Sequence, residues 1–93
     1  MDCQGVIFST HATARMFART ISQKDVEYVL KNGITIQQYP TDKPFPSALL
    51  LGFINDIPLH VVIAQDQDSM CVVVTAYIPD ADIWDEEFKT KTK

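Results

Sequence analysis

The hydrophobic period of this chain changes at Gly33, and that change limits the fold more than any other feature. Before it, apolar residues recur at helical spacing. Ala12 and Met16 are four apart and share one helix face, and Val26, Val29 and Leu30 recur at three and four. After it, Ile34 and Ile36 alternate with polar residues, and long runs rich in Val, Ile and Leu follow, as strands require. A chain that is helical first and stranded afterwards is α+β, with the helices gathered on one face of an antiparallel sheet.

Local signals set the boundaries. Ser9 and Thr10 are candidate N-caps whose side-chain oxygens accept the first free helical amides, which predicts a helix over residues 10–19. Thr20 and Ile21 break it. Ser22 opens a second helix, with Asp25 three residues on in near capping-box spacing and Ile21 placed to staple onto Val26. Asn32-Gly33 ends that helix, with Gly33 expected in the left-handed position. Residues 34–39 are expected as a half-buried strand, and residues 40–46, with three prolines, as a loop. Residues 48–54 and 59–64 form a hairpin across Asn55-Asp56, a pair that tolerates positive φ. Residues 65–69 are a turn, residues 71–77 the last strand, and Pro79 ends it. The expected architecture is an N-terminal helical hairpin packed on an antiparallel β-meander of about four strands. Trp84 and Phe88, four apart, are placed to anchor a final helical turn, and residues 89–93 read as a frayed tail.

Ninety-three residues suit one domain spanning 1–93. The longest apolar runs are about eight residues, against the roughly 20 that a membrane span needs, and the first residues carry no secretory signal. A cytoplasmic location without membrane contact is therefore expected. Cys3 and Cys71 are then expected as reduced, small apolar residues. They are too far apart in sequence from each other and from the two histidines for a zinc signature. The formal net charge of −4 disfavours non-specific attraction to nucleic acid, although segregated charge still permits a local RNA site. Acidic residues gather late, at Asp80, Asp82, Asp85, Glu86 and Glu87, without the glycine and alternating ligands of a calcium loop. No metal and no cofactor is expected.

The residues that carry chemistry are few. His11, Arg15 and Arg19 are spaced four and four, so they run along one side of the first helix. Guanidinium forks match phosphate oxygens, and a neutral imidazole can take a proton near pH 7. The same spacing also describes a solvated helix face. Thr75 and Tyr77 are two apart on the last strand and share a face, where a hydroxyl and a phenol orient a ligand if they border a cleft. His60 sits in an apolar strand. Pointing toward the helices it is a buried, satisfied histidine; pointing away it joins a surface groove.

The segment FSTHATARMFARTISQKDVEYVLKNG resembles a small-domain family with the pattern F-S-x-H-A-x-x-R-M-x-x-R-x-I-S-x-x-D-V. The resemblance continues through LGFINDIPLHVVIAQD and VVVTAYIPDADIW. Members of that family look like RelE-type and ParE-type toxins of bacterial toxin–antitoxin pairs. That likeness implies a helical hairpin on a curled antiparallel sheet and RNA cleavage without metal. It implies His11 as general acid or base, Arg15 and Arg19 as phosphate ligands, and Thr75 and Tyr77 completing the pocket. It also implies an RNA or ribosomal substrate and a cognate antitoxin partner. A non-catalytic protein-binding module of the same fold is the alternative.

Overall fold

The computed structural model describes residues 3–85 and 87–89. Its elements are β1 (Gly5–Phe8), α1 (Thr10–Ala18), α2 (Gln23–Asn32), β2 (Ile34–Tyr39), β3 (Ser47–Ile54), β4 (Ile57–Gln65) and β5 (Met70–Tyr77). Ser9 caps α1 by accepting from the Ala12 amide (3.0 Å), and Ser22 caps α2 by accepting from the Asp25 amide (3.1 Å). Both helices thus begin where a side-chain oxygen takes over an amide that the first turn leaves unpaired.

The first helix ends where Thr20 and Ile21 were expected to break it, and the second ends differently from expectation. Thr20 stands at φ 57, in the left-handed region, after α1. Its amide donates to the Phe17 carbonyl (3.2 Å) and the Ile21 amide to that of Met16 (2.8 Å). This pairing is a Schellman motif, with Ile21 packed beside Met16 in the core. Gly33, expected to be left-handed, is extended at φ −77. Glycine is needed there for space: an added Cβ would lie 2.6 Å from the carbonyl oxygens of both Leu51 and Val29.

The sheet order is β1-β5-β4-β3-β2. Strands β2 to β5 form the expected antiparallel meander, and the type of turn at Asn55-Asp56 agrees too, with both residues at positive φ. The four-stranded expectation is corrected at the other edge, where β1 pairs in parallel with β5 and makes a five-stranded mixed sheet. GVIF is too short to display a period, and its partner lies more than 60 residues away, so local pattern carried no sign of it. Strand β2 is also more exposed than expected, because it is the far edge: Ile34 and Tyr39 face solvent and Ile36 is half-buried.

Ala12 and Met16 of α1 and Val26 and Val29 of α2 cover one face of the sheet, packing with Leu50, Val61, Ile63 and Val73. Cys71 lies in this core and is bonded to Cys3, so the expectation of two reduced thiols is corrected. The bond fastens the segment before β1 to the start of β5. Residues 80–84 close a single hydrogen-bonded turn, with the Trp84 amide donating to the Asp80 carbonyl (3.0 Å). Of the tail expected at 89–93, residues 90–93 lie outside the described residues, as does Glu86 of the acidic group.

One irregularity decides which residues reach the site. In the β4–β5 ladder Val62 pairs with Thr75, but Ile63 pairs with Val73, so Val74 is an extra residue. Such a bulge reverses the facing of everything beyond it. Cys71 and Val73 point to the helices, and after the bulge Ala76 does. Thr75 and Tyr77 are thereby turned to the opposite face, opposite Val62 and His60 respectively.

Candidate functional site

Strand β1 ends its pairing at Phe8–Val73, so the last residues of β5 have an open edge. Ser9, just after β1, donates from its hydroxyl to the Val73 carbonyl (2.9 Å) and closes the last paired position. Arg19 occupies the open edge beyond. Its Nη1 donates to the Ala76 carbonyl (2.8 Å), with a longer contact to Thr75 Oγ1 (3.4 Å).

Helix geometry explains why Arg19 reaches the sheet. Residues four apart advance about 40° around the axis, and Ala12 and Met16 mark the direction of the core. On that wheel Arg19 lies about 40° from the core direction, Arg15 about 80° and His11 about 120°. All three are largely exposed, and the stripe winds from solvent toward the sheet edge. His11 and Arg19 are also separated by about 12 Å along the axis. The structure therefore brings Arg19, Thr75 and Tyr77 together and leaves His11 and Arg15 along the helix leading up to them.

Tyr77 is held from beneath by His60. His60 is fully buried, on the face away from the helices, so it combines the two expected alternatives: buried and satisfied, yet beside a groove. Its Nε2 lies 2.7 Å from the Phe88 carbonyl oxygen and its Nδ1 3.2 Å from the Tyr77 hydroxyl. A carbonyl only accepts, so Nε2 carries the hydrogen and donates to it. Nδ1 is then an acceptor, and the Tyr77 hydroxyl donates to it. The Trp84 ring meets the imidazole edge-on at 4.4 Å, 89° between planes, and Tyr77 does so at 5.3 Å and 73°. Burial holds the His60 imidazole below its usual pKa of 6.5, against an opposing pull from the Phe88 carbonyl. Burial also pushes the Tyr77 phenol above 10, helped by Tyr39 and opposed by Arg19. At neutral pH the pair is an uncharged imidazole accepting from an uncharged phenol.

Above this pair lies a groove of about 620 Å³ lined by Arg19, Tyr77, Ile78, Asp80, Ile83 and Trp84. A guanidinium, a phenol and an indole on its walls suit an anionic group attached to a flat ring. The Asp80 carboxylate is engaged in its own turn, accepting from the Asp82 amide at 2.8 Å. Among the described residues no group of three or more His, Cys, Asp or Glu side chains is placed to hold a metal. No described helix is long and apolar enough to cross a membrane.

A family model described as a domain of unknown function, DUF4258, matches residues 8–78. This chain belongs to the DUF4258 family. No curated protein and no solved structure matches it. The DUF4258 match contains Arg19, His60, Thr75 and Tyr77, but stops before Trp84 and Phe88. The groove of this DUF4258 domain thus has walls inside the matched span, from Arg19, Tyr77 and Ile78, and others outside it, from Asp80, Ile83 and Trp84. Reasoning from sequence passed over Trp84 as a wall and left His60 undecided. A histidine within an apolar strand was the available signal, since a buried imidazole must find two partners.

Proposed function

We propose that this DUF4258 domain is a toxin-like ribonuclease that cleaves the RNA backbone with its own side chains, at the Arg19–Tyr77 groove. The observation that carries the reading is the convergence of Arg19 from α1 with Thr75 and Tyr77 from β5, produced by the bulge at Val74. The likeness to RelE-type and ParE-type toxins, and an element order of two helices before an antiparallel meander, support the same reading.

In this account the 2′-hydroxyl of a ribose attacks the adjacent phosphorus. The 2′-O–P bond forms, the P–O5′ bond breaks, and the products are a 2′,3′-cyclic phosphate and a 5′-hydroxyl. Arg19 has five N–H donors, and those not spent on Ala76 and Thr75 hold a phosphate oxygen. Thr75 Oγ1 accepts from Arg19, and its own hydrogen remains available for a second phosphate oxygen. Tyr77 receives the 2′-hydroxyl proton as its own passes to His60 Nδ1, and that proton returns through the phenol and a water to the leaving 5′-oxygen, which departs as the 5′-hydroxyl. Arg15 and His11, one and two turns away, meet neighbouring phosphates of the same strand. Regulation by a cognate antitoxin belongs to this reading.

Controlled expression in a bacterium tests it. Growth arrest by the unaltered chain, relieved by Arg19→Ala and by Tyr77→Phe at equal protein level, is the expected result. Arrest that persists in both variants overturns the assignment. A second reading, a non-catalytic protein-binding module, is favoured by β2: this edge strand is uncharged along ITIQQY and exposes Ile34 and Tyr39. That reading predicts a stable complex with a protein partner and no RNA cleavage.

A further inference from the structure

A second cavity, of about 220 Å³, opens beside the groove. Ile78 is a wall of both, and Arg19 of the groove is followed in the chain by Thr20 of the cavity. Ligand pockets for whole drug-sized molecules run to about 300–1,000 Å³, so this one suits a single ring system. Its walls are aliphatic, from Ile57 of the β3–β4 hairpin to Ile78, apart from three polar residues: Thr20, Asp25 and Asn55. Apolar walls with a few polar groups are the usual lining of a pocket for a small, largely apolar ring.

The polar groups decide which ring. A carboxylate is acceptor-only, with two oxygens side by side, and it is best satisfied by two adjacent N–H donors. Guanine presents such a pair on its Watson–Crick edge, N1–H beside the N2 amino group. Adenine offers an acceptor at N1 in that place, uracil a single N3–H between two carbonyl acceptors, and cytosine an amino group beside the N3 acceptor. The Asp25 carboxylate also repels phosphate, which leaves the anionic part of a nucleotide to Arg19. The geometry points to this cavity as a guanine-base subsite, with Asp25 reading the base edge next to the phosphate groove. The joining of this subsite to a phosphate rests on the proposed role of Arg19, and the base subsite itself on the lining of the cavity.

Amide NMR of the full chain tests the two claims separately, using guanosine, inorganic phosphate, 5′-GMP and 5′-AMP as probes. Guanosine should move the signals of Thr20, Asp25 and Asn55, and phosphate those of Arg19, Thr75 and Tyr77. GMP should move both sets and bind at least tenfold tighter than AMP. Asp25→Asn should remove most of that preference and leave phosphate binding unchanged; the Ser22 cap on the residue-25 amide survives this substitution. If phosphate moves its set and guanosine moves nothing near Asp25, the base subsite is overturned and the groove reading stands. Guanosine binding without any phosphate response at Arg19 overturns the groove reading instead and upholds the base subsite. Equal affinity for GMP and AMP, or a preference untouched in Asp25→Asn, overturns the assignment of guanine.

Discussion

Tyr77→Phe removes a single hydroxyl and isolates the contact on which the site is built. In the unaltered chain that hydroxyl is 3.2 Å from Nδ1 of a fully buried imidazole. The other ring nitrogen is committed to the Phe88 carbonyl, so the imidazole cannot simply exchange its hydrogen to the other side. The phenylalanine ring keeps the edge-on packing against His60, and no ring-sized cavity forms. What remains is a buried acceptor without a donor, which costs about 1–3 kcal/mol. Tyr77 is half-buried and borders the groove, so water relieves part of this, and about 1.5 kcal/mol is the expected loss. For a domain of this length that is a fall of roughly 6–12 °C in Tm. Urea unfolding followed by fluorescence measures it cleanly, because Trp84 is the single tryptophan and packs on the same imidazole. The midpoint should fall by about 1 M with an unchanged slope. A midpoint within about 0.2 M of the unaltered chain would refute the donor–acceptor assignment, since a contact that matters must show itself there.

The same pair predicts a pH dependence. Burial lowers the folded-state pKa of His60, so the unfolded chain takes up a proton near 6.5 before the native state does, and stability falls as pH drops from 7 to 5. The slope reaches at most about 1.4 kcal/mol per pH unit, and His60→Gln should flatten it in urea midpoints across that range. Gly33→Ala should destabilise by about 2–3 kcal/mol, because the new Cβ meets two backbone carbonyl oxygens rather than flexible side chains. Its denaturation midpoint should fall, and a neutral result would contradict the close approach of α2 to β3. Thiol titration of the unfolded protein, without reductant, should find no free thiol. Cys3→Ser opens a link spanning 68 residues and should cost up to about 4 kcal/mol on chain entropy, read from the same urea curves.

The helices were legible because their signals are local. Ser9 and Ser22 mark the starts, and the spacing of Met16, Val26 and Val29 marks the buried side. The Asn55-Asp56 hairpin was legible for the same reason. What escaped depends on distant partners. Strand β1 exists through its pairing with β5, and the cysteines meet because that pairing brings them together. The end of α2 misled in another way: Gly33 is extended rather than left-handed and serves a close contact with Leu51 and Val29.

The site was half legible. Spacing gave Arg19 a place on a stripe with His11 and Arg15, but a helix wheel alone does not say which member meets the sheet. Alternation gave Thr75 and Tyr77 a common face, and strict alternation would have set them beside Cys71 and Val73. The extra residue at Val74 sends them to the face of His60 instead, and nothing in MCVVVTAY marks where a bulge falls. The spacing of Trp84 and Phe88 suggested a helical turn as an anchor. The anchoring is instead an indole edge and a backbone carbonyl on one imidazole, a contact across more than 20 residues.

The most direct test of the central claim is cleavage of a defined RNA oligonucleotide by the purified chain in excess chelator. The unaltered protein should yield fragments ending in 2′,3′-cyclic phosphate, and Arg19→Ala should slow their appearance by about 10²–10³-fold, the effect of losing a charge-stabilising donor. No cleavage by the folded protein, or cleavage at the same rate in Arg19→Ala, would contradict the account.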